Sequence, residues 1–451
     1  MAEVIKIKRG LDIKLKGKAD AKYAEAQIPD MFAVRPDDFQ GITPRLAVKA
    51  GALVKVGTEL FQDKETPEVK VVSPVSGEVV AVNRGERRKI LDIQIKSDGK
   101  FESEPFIKAN PNSLSAEDLK KNFLNAGLWS FIRKRPFDII ASVSDQPKAV
   151  FMSAFDSAPL APDYDFIFEG QGNDLQTGID ALKKLAGAPV HVSVNIQKDS
   201  SPFKNLNGIE LHEFDGPHPA GNVGVQINHI SPVNKGESVW VVKPQDVIMI
   251  GRAFNTGILD FSRNIVLAGS MVKNPAYYHT IYGANISTIV KDNVSEDGTA
   301  RYISGNPLTG LQIPADGFLG AFDQQISILP EATEPEVLGW IMPRLNKFSL
   351  SHTYFSWLFG QKKEYDLDTN VNGGERAIIV SNEYDKVFPM DIYPEYLIKA
   401  IIAQDIDKMI QLGIYEVAPE DFALCEFVDT SKLKLQQIVR NGLDYLRRED
   451  A

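Results

Sequence analysis

The densest set of chemistry-bearing side chains in this sequence lies between residues 340 and 357. Trp340, Phe348, His352, Tyr354, Phe355 and Trp357 fall within 18 residues of a chain whose aromatic content is only 9%. Rings at this density can stack on a planar ligand, and His352 can donate a hydrogen bond to one of its carbonyl oxygens. The same composition also suits a membrane-facing or core-packed patch. His218 and His229, in GPHPAGNVGVQINHI, form a second candidate pair. Two histidines on glycine-rich loops more often cap turns than ligate, so no metal is expected. Cys425 is the single cysteine. It permits no intrachain disulfide, which agrees with a cytosolic setting, and it cannot alone hold zinc or an iron–sulfur cluster. Arg84, Arg87 and Arg88 crowd one turn that could meet an acidic partner or simply be solvated. No catalytic residue set emerges, and Gly170-Gln171-Gly172 lacks the third glycine of a dinucleotide fingerprint.

The elements that must position these residues change character along the chain. The start, MAEVIKIKRGLDIKLKG, alternates charged and aliphatic residues as an edge strand does. From Ala50 to Ile95, short alternating stretches separated by glycine turns resemble a biotinyl/lipoyl-type barrel-sandwich module, expected within residues 1–100. Lys64 is the one tempting acylation site there, but Arg84-Gly85-Glu86-Arg87-Arg88 stands where the carrier's second hairpin should repeat, so the module reads as structural. Residues 101–257 read as an open α/β, Rossmann-like sheet. Phe166-Ile167-Phe168 is expected as a strand, Asp174–Leu185 as a helix closed by Gly187 and Pro189, and His191–Val194 as the next strand. Ser238–Gly251 reads as two strands flanking Pro244, the element ending at Gly257.

Residues 258–334 resemble a β-grasp, ubiquitin-like module, with a strand leading to Gly269, a turn at Asn274-Pro275 and a short helix after Gly283. Residues 335–451 read as mainly helical. Pro394 suits a first helical position, with Leu397, Ile398, Ile401 and Ile402 as one apolar stripe. Further helices are expected up to Gly413, near Phe422–Val428, and from Leu433 to Leu446. The whole is an α/β multidomain chain.

Bulk properties narrow the classes of function. Sixty acidic residues against 50 basic ones leave a net charge of −10 with no dense basic run, so no nucleic acid is expected. No apolar stretch approaches the roughly 18 residues needed to cross a bilayer, and the first residues lack the apolar run of a secretory signal.

The domain order is similar to that of the flavoprotein subunit of respiratory complex I and of the RnfC electron-transport subunit. More specific are RGLDIKLKG at 9–17, Gly41-Ile42-Thr43-Pro44, NRGERR at 83–88, GPHPAG at 216–221, QDVIMIG at 245–251 and LCEFVDTSK at 424–432. Together these resemble the A-subunit family of the sodium-translocating NADH:quinone reductases over essentially the whole chain. The resemblance implies a peripheral subunit on the cytoplasmic face of a bacterial inner membrane, with integral membrane subunits as partners. The complex it implies oxidises NADH, reduces ubiquinone and exports Na+. FMN, FAD, riboflavin and iron centres are implied in the partner subunits, and none in this chain. The aromatic segment around His352 then becomes the candidate quinone-contacting surface.

The departures from the redox-active relatives support that division. Where they carry a glycine-rich loop, this chain has Ala126-Gly127-Leu128-Trp129-Ser130-Phe131-Ile132-Arg133, whose bulky side chains would fill the space a flavin or nicotinamide needs. Aligned on Ser431-Lys432, the four cluster cysteines of RnfC-like proteins fall at Pro419, Phe422, Cys425 and Asp429, where only one thiol remains. The alternative reading is an NADH-oxidising flavoprotein subunit.

Overall fold

The structure, a computed structural model, describes residues 4–198, 201–332, 345, 347–350, 354–356, 358 and 363–449. Trp340, His352 and Trp357 lie outside the described residues. The opening strand β1 (Val4–Lys6) is an edge strand, but of a sheet built much later in the chain, where it runs parallel to residues 213–215.

Seven strands then form the barrel-sandwich: β2 (Met31–Val34), β3 (Pro44–Leu46), β4 (Leu53–Val54), β5 (Glu59–Asp63), β6 (Lys70–Val72), β7 (Gly77–Arg84) and β8 (Ile90–Ser97). They make two antiparallel layers ordered β2-β8-β7-β4 and β3-β5-β6. Strand alternation turns Val79, Ile93 and Ile95 into the core between them. Gly77 sits at φ 153°, and a Cβ there would lie 2.0 Å from the Lys96 carbonyl, so the β7–β8 approach requires glycine. Lys64 lies on the exposed β5–β6 turn, and Arg84, Arg87 and Arg88 are exposed around the β7–β8 turn.

The α/β part contains α1 (Ala116–Asn125), β9 (Arg133–Arg135), β10 (Ile139–Ile140), β11 (Val150–Ser153), α2 (Tyr164–Ile167), α3 (Gly172–Ala186), β12 (Val190–Asn195), β13 (Glu210–Asp215), α4 (Val223–Ile230), β14 (Val239–Val241) and α5 (Pro244–Thr256). Its sheet is ordered β1-β13-β12-β11-β14-β9-β10, parallel from β1 to β14, with β9 and β10 antiparallel at one edge. The helix over 172–186 and its left-handed Gly187 match the sequence reading. Two expectations fail here. Phe166-Ile167-Phe168 is not a strand: Asp163 caps a helix at 164–167 by accepting from the Asp165 amide, and the Tyr164 and Phe168 rings, four residues apart, meet at 5.3 Å. The strand preceding the crossover to β12 is β11 instead. Pro244 likewise separates a strand from a helix rather than two strands. It occupies the first turn of α5, where its missing N–H costs no helical bond. Residues 244–251 are all buried, so no polar face marked them as helical in the sequence.

The β-grasp part is a five-stranded sheet of β15 (Ser262–Ala268), β16 (Ala276–Ile281), β17 (Ala300–Ser304), β18 (Leu311–Ile313) and β19 (Gln325–Pro330), ordered β16-β15-β19-β17-β18. The short helix α6 (Ser287–Val290) follows Gly283, as read. After residue 363 come α7 (Tyr384–Val387), α8 (Pro394–Ile402), α9 (Ile406–Gln411), α10 (Ala423–Val428) and α11 (Leu435–Glu449). Leu397, Ile398 and Ile401 face the core of this part, whereas Ile402 turns outward. Of the residues expected inward on α11 and just before it, Leu443 and Leu446 are buried and Leu433 and Ile438 half-buried. The fold is the α/β multidomain class expected.

Candidate functional site

In an open parallel sheet, ligands bind beyond the carboxyl ends of the strands where the chain switches from building one side to building the other. Here that point lies between β11 and β14, since β12 and β13 extend from one side of β11 and β14 pairs with the other. A cleft opens there, past Ser153 at the end of β11 and Val241 at the end of β14, and its free volume is ≈ 140 Å³. It is lined by Phe131, Arg133, Arg135, Asp156, His218 and Lys243 among others.

The loop after α1 supplies one side chain of the cleft wall, Phe131. Gly127, at φ 70°, turns the chain, and Leu128, Trp129, Ser130 and Phe131 follow as a short 3-10 turn in which all four are buried. Trp129 donates its indole N–H to the Ala141 carbonyl at 2.8 Å and packs edge-on against Trp240. Phe131 meets Phe39, Phe261, Tyr282 and Phe322, and the Arg263 guanidinium lies 5.5 Å over its ring. The Trp129 and Phe131 rings are thereby fixed in the buried core.

The cations of the cleft are already matched. Arg133 meets Asp138 at 2.7 Å. Arg135 is buried against three carboxylates, Glu420 at 2.6 Å, Asp421 at 3.4 Å and Asp138 at 3.5 Å, two of them about 285 positions away in sequence. Lys243 donates to the Phe322 carbonyl at 2.8 Å. Burial pushes the Asp421 carboxyl up to about 7 despite the Arg135 charge beside it, and burial raises Asp156 as well. The amino end of α5, the usual seat of a phosphate, begins with a proline and holds the Asp246 carboxylate in its first turn.

The two histidines read as a candidate pair have separate roles. His218 is buried, its Nδ1 is 3.0 Å from the Ser157 hydroxyl, and burial pushes it down to about 4. His229 Nδ1 lies 2.8 Å from the Val225 carbonyl one helical turn back. At the C-terminal end, Phe422, Cys425 and Asp429, three of the four positions aligned with cluster cysteines, are buried. Phe422 packs at a tilt against Phe388, centroids 5.0 Å apart, and Asp429 accepts from the Ser431 and Leu433 amides. Burial, reinforced by Asp385, Asp421, Asp429 and Glu395, raises the Cys425 thiol well above its ordinary value, so it stays protonated.

Of the aromatic segment, Phe348 is half-buried between Tyr365 at 5.3 Å and Phe427 at 5.9 Å, Tyr354 is buried, and Phe355 is 53% exposed. The Ser356 hydroxyl donates to the Lys347 carbonyl at 2.5 Å, which ties the two described pieces together. The charged lining of the cleft was missed in the sequence. The run Arg133-Lys134-Arg135 hinted at it, but its acidic partners Glu420 and Asp421 are recognisable only in three dimensions.

Fold and cleft together define a chain of barrel-sandwich, Rossmann-like and β-grasp parts with a cleft at the carboxyl ends of its parallel strands. Residues 5–98 match the NqrA N-terminal barrel-sandwich hybrid domain, 114–259 the NqrA second alpha/beta domain and 264–314 the NQRA C-terminal domain. The chain is 36% identical over 451 residues to the A subunit of the Na(+)-translocating NADH-quinone reductase of Haemophilus influenzae, covering 99% of this chain and 100% of that one. The corresponding proteins of Pasteurella multocida and Neisseria meningitidis are each 36% identical over 450 residues, with the same coverage. The chain belongs to the family of Na(+)-translocating NADH-quinone reductase A subunits. An NAD+-reducing [NiFe]-hydrogenase in its air-oxidized state also aligns, at 12% identity over 48% of this chain and 46% of that one, with a TM-score of 0.34. That likeness is too distant to bear on this chain. No helix among the described residues is long and apolar enough to cross a membrane.

Proposed function

We propose that this chain is a cofactor-free peripheral subunit of a complex that oxidises NADH, reduces ubiquinone and exports Na+. In that reading it sits on the cytoplasmic face of a bacterial inner membrane, docked on integral membrane subunits, with FMN, FAD, riboflavin and iron centres in partner subunits. The observation that carries it is the 36% identity to Na(+)-translocating NADH-quinone reductase A subunits over 99% of the chain; the buried, bulky string Leu128 to Phe131 supports the cofactor-free part of the reading. A working division into parts at residues 1–100, 101–257, 258–334 and 335–451 accompanies this reading.

Its positive contribution is one wall of a quinone site, from Trp340, Phe348, His352, Tyr354, Phe355 and Trp357. The exposed Phe355 ring and the half-buried Phe348 supply stacking surface, with Tyr354 packed in the core nearby. Affinity for the isolated chain is modest, because a membrane neighbour must complete the pocket before the quinone tail is buried.

The test is a titration of a short-tailed ubiquinone into the purified chain, followed by tryptophan fluorescence. Wild type should quench, and His352→Ala should weaken binding by about one hydrogen bond, roughly 1 kcal/mol or about fivefold in Kd. Equal curves would remove His352 from the site, and no quenching in either would move the quinone site off this chain. A flavin absorbance band in the same preparation would favour the alternative, an NADH-oxidising flavoprotein subunit.

A further inference from the structure

At the opposite end of the sheet from the cleft, near the amino ends of β12 and β13, three potential ligands come together. The strands run parallel with His191 opposite Glu210 and Ser193 opposite His212, so all four side chains leave the same face. His191 Nδ1 lies 2.9 Å from His212 Nε2 and 3.3 Å from Glu210 Oε2, and the three atoms all fall within 4.8 Å of one another.

We infer that His191, Glu210 and His212 form a binding site for a divalent transition-metal ion, Zn2+ in preference to Mg2+ or Ca2+. Bonds of about 2.0–2.1 Å in a tetrahedron put neighbouring ligand atoms about 3.3–3.4 Å apart. The His191–Glu210 separation already has that value. The His191–His212 contact reaches it by opening about 0.4 Å, the change from a direct hydrogen bond to two bonds on one ion. Two imidazoles and a carboxylate select borderline ions over the hard, oxygen-seeking ones.

The setting holds one ligand and leaves another open to the ion. His191 is fixed by the Phe151 ring stacked on it at 4.7 Å, while the Glu210 side chain is 58% exposed and gives the ion a way in. Three protein ligands leave a fourth position for water. Ser193, on the same face, has a buried hydroxyl without a hydrogen-bond partner and can serve such a water.

The test uses the full chain, stripped with EDTA and titrated with Co2+ while the visible d–d absorption is followed, with Zn2+ then used to displace it. One equivalent should bind with the intense bands of four-coordinate Co2+, and Zn2+ should raise the melting temperature by mass action. Glu210→Gln, at an exposed side chain, should keep the melting temperature of the metal-free wild type and lose at least tenfold in affinity. His212→Gln should lose at least a hundredfold, and His229→Gln and His279→Gln should bind as wild type does. No uptake by the wild type would overturn the site, as would binding that survives both Glu210→Gln and His212→Gln.

Discussion

Breaking the ion pair between Arg263 on β15 and Asp246 on α5 should loosen the join between the α/β and β-grasp parts. The two charges are 2.6 Å apart, with side chains 2% and 1% exposed. At an effective dielectric of about 20 that contact is worth about 6 kcal/mol of Coulomb energy, much of it offset by desolvation. Arg263→Met keeps the bulk of the side chain but strands a buried carboxylate, which costs about 3–5 kcal/mol. Burial already raises Asp246, and Arg263 is the largest influence holding it down, so the variant's carboxyl rises further. An acid whose folded value exceeds its unfolded one binds more protons when folded, so stability falls as pH rises through that window. Urea unfolding followed by tryptophan fluorescence should therefore show a larger loss at pH 8 than at pH 5.5. Adding Asp246→Leu should recover most of the loss and remove the added slope. A double variant as unstable as Arg263→Met, or a single variant costing under about 1 kcal/mol, would refute the reasoning.

Gly251→Ala should destabilise by about 1–3 kcal/mol or more in the same assay, because its Cβ would lie 1.8 Å from the Asp174 carbonyl and force α3 and α5 apart. Cys425→Ser should leave electron transfer by the assembled complex near wild type while lowering stability by about 1–3 kcal/mol, since a hydroxyl replaces a buried thiol. The native thiol should resist an aromatic disulfide reagent until urea unfolds the chain. His218, pushed down to about 4 by burial, resists protonation when folded, so stability is lost as pH falls from about 6.5 toward 4. The loss is at most about 3 kcal/mol and should be reduced in His218→Gln, as urea midpoints across that range would show.

Much of this protein is legible in one dimension because it depends on neighbours in the chain. Gly187 and Gly257 end α3 and α5 in left-handed conformations, and Pro394 opens α8, because these residues carry their backbone preferences wherever they occur. The expectation of no flavin and no cluster rests likewise on side-chain size and ligand count, through the bulky string from Leu128 to Phe131 and the solitary Cys425. What the sequence could not decide depends on partners far along the chain. The buried run of α5 reads the same as a strand, since a helix covered on all sides shows no polar face, and only its packing against α3 distinguishes the two. Arg135 meets Glu420 and Asp421 about 285 residues away, and His191 meets Glu210 and His212 only because β12 and β13 pair in that register. A one-residue slip would turn those side chains to the opposite face, so tertiary register, more than residue type, decides whether they form a site.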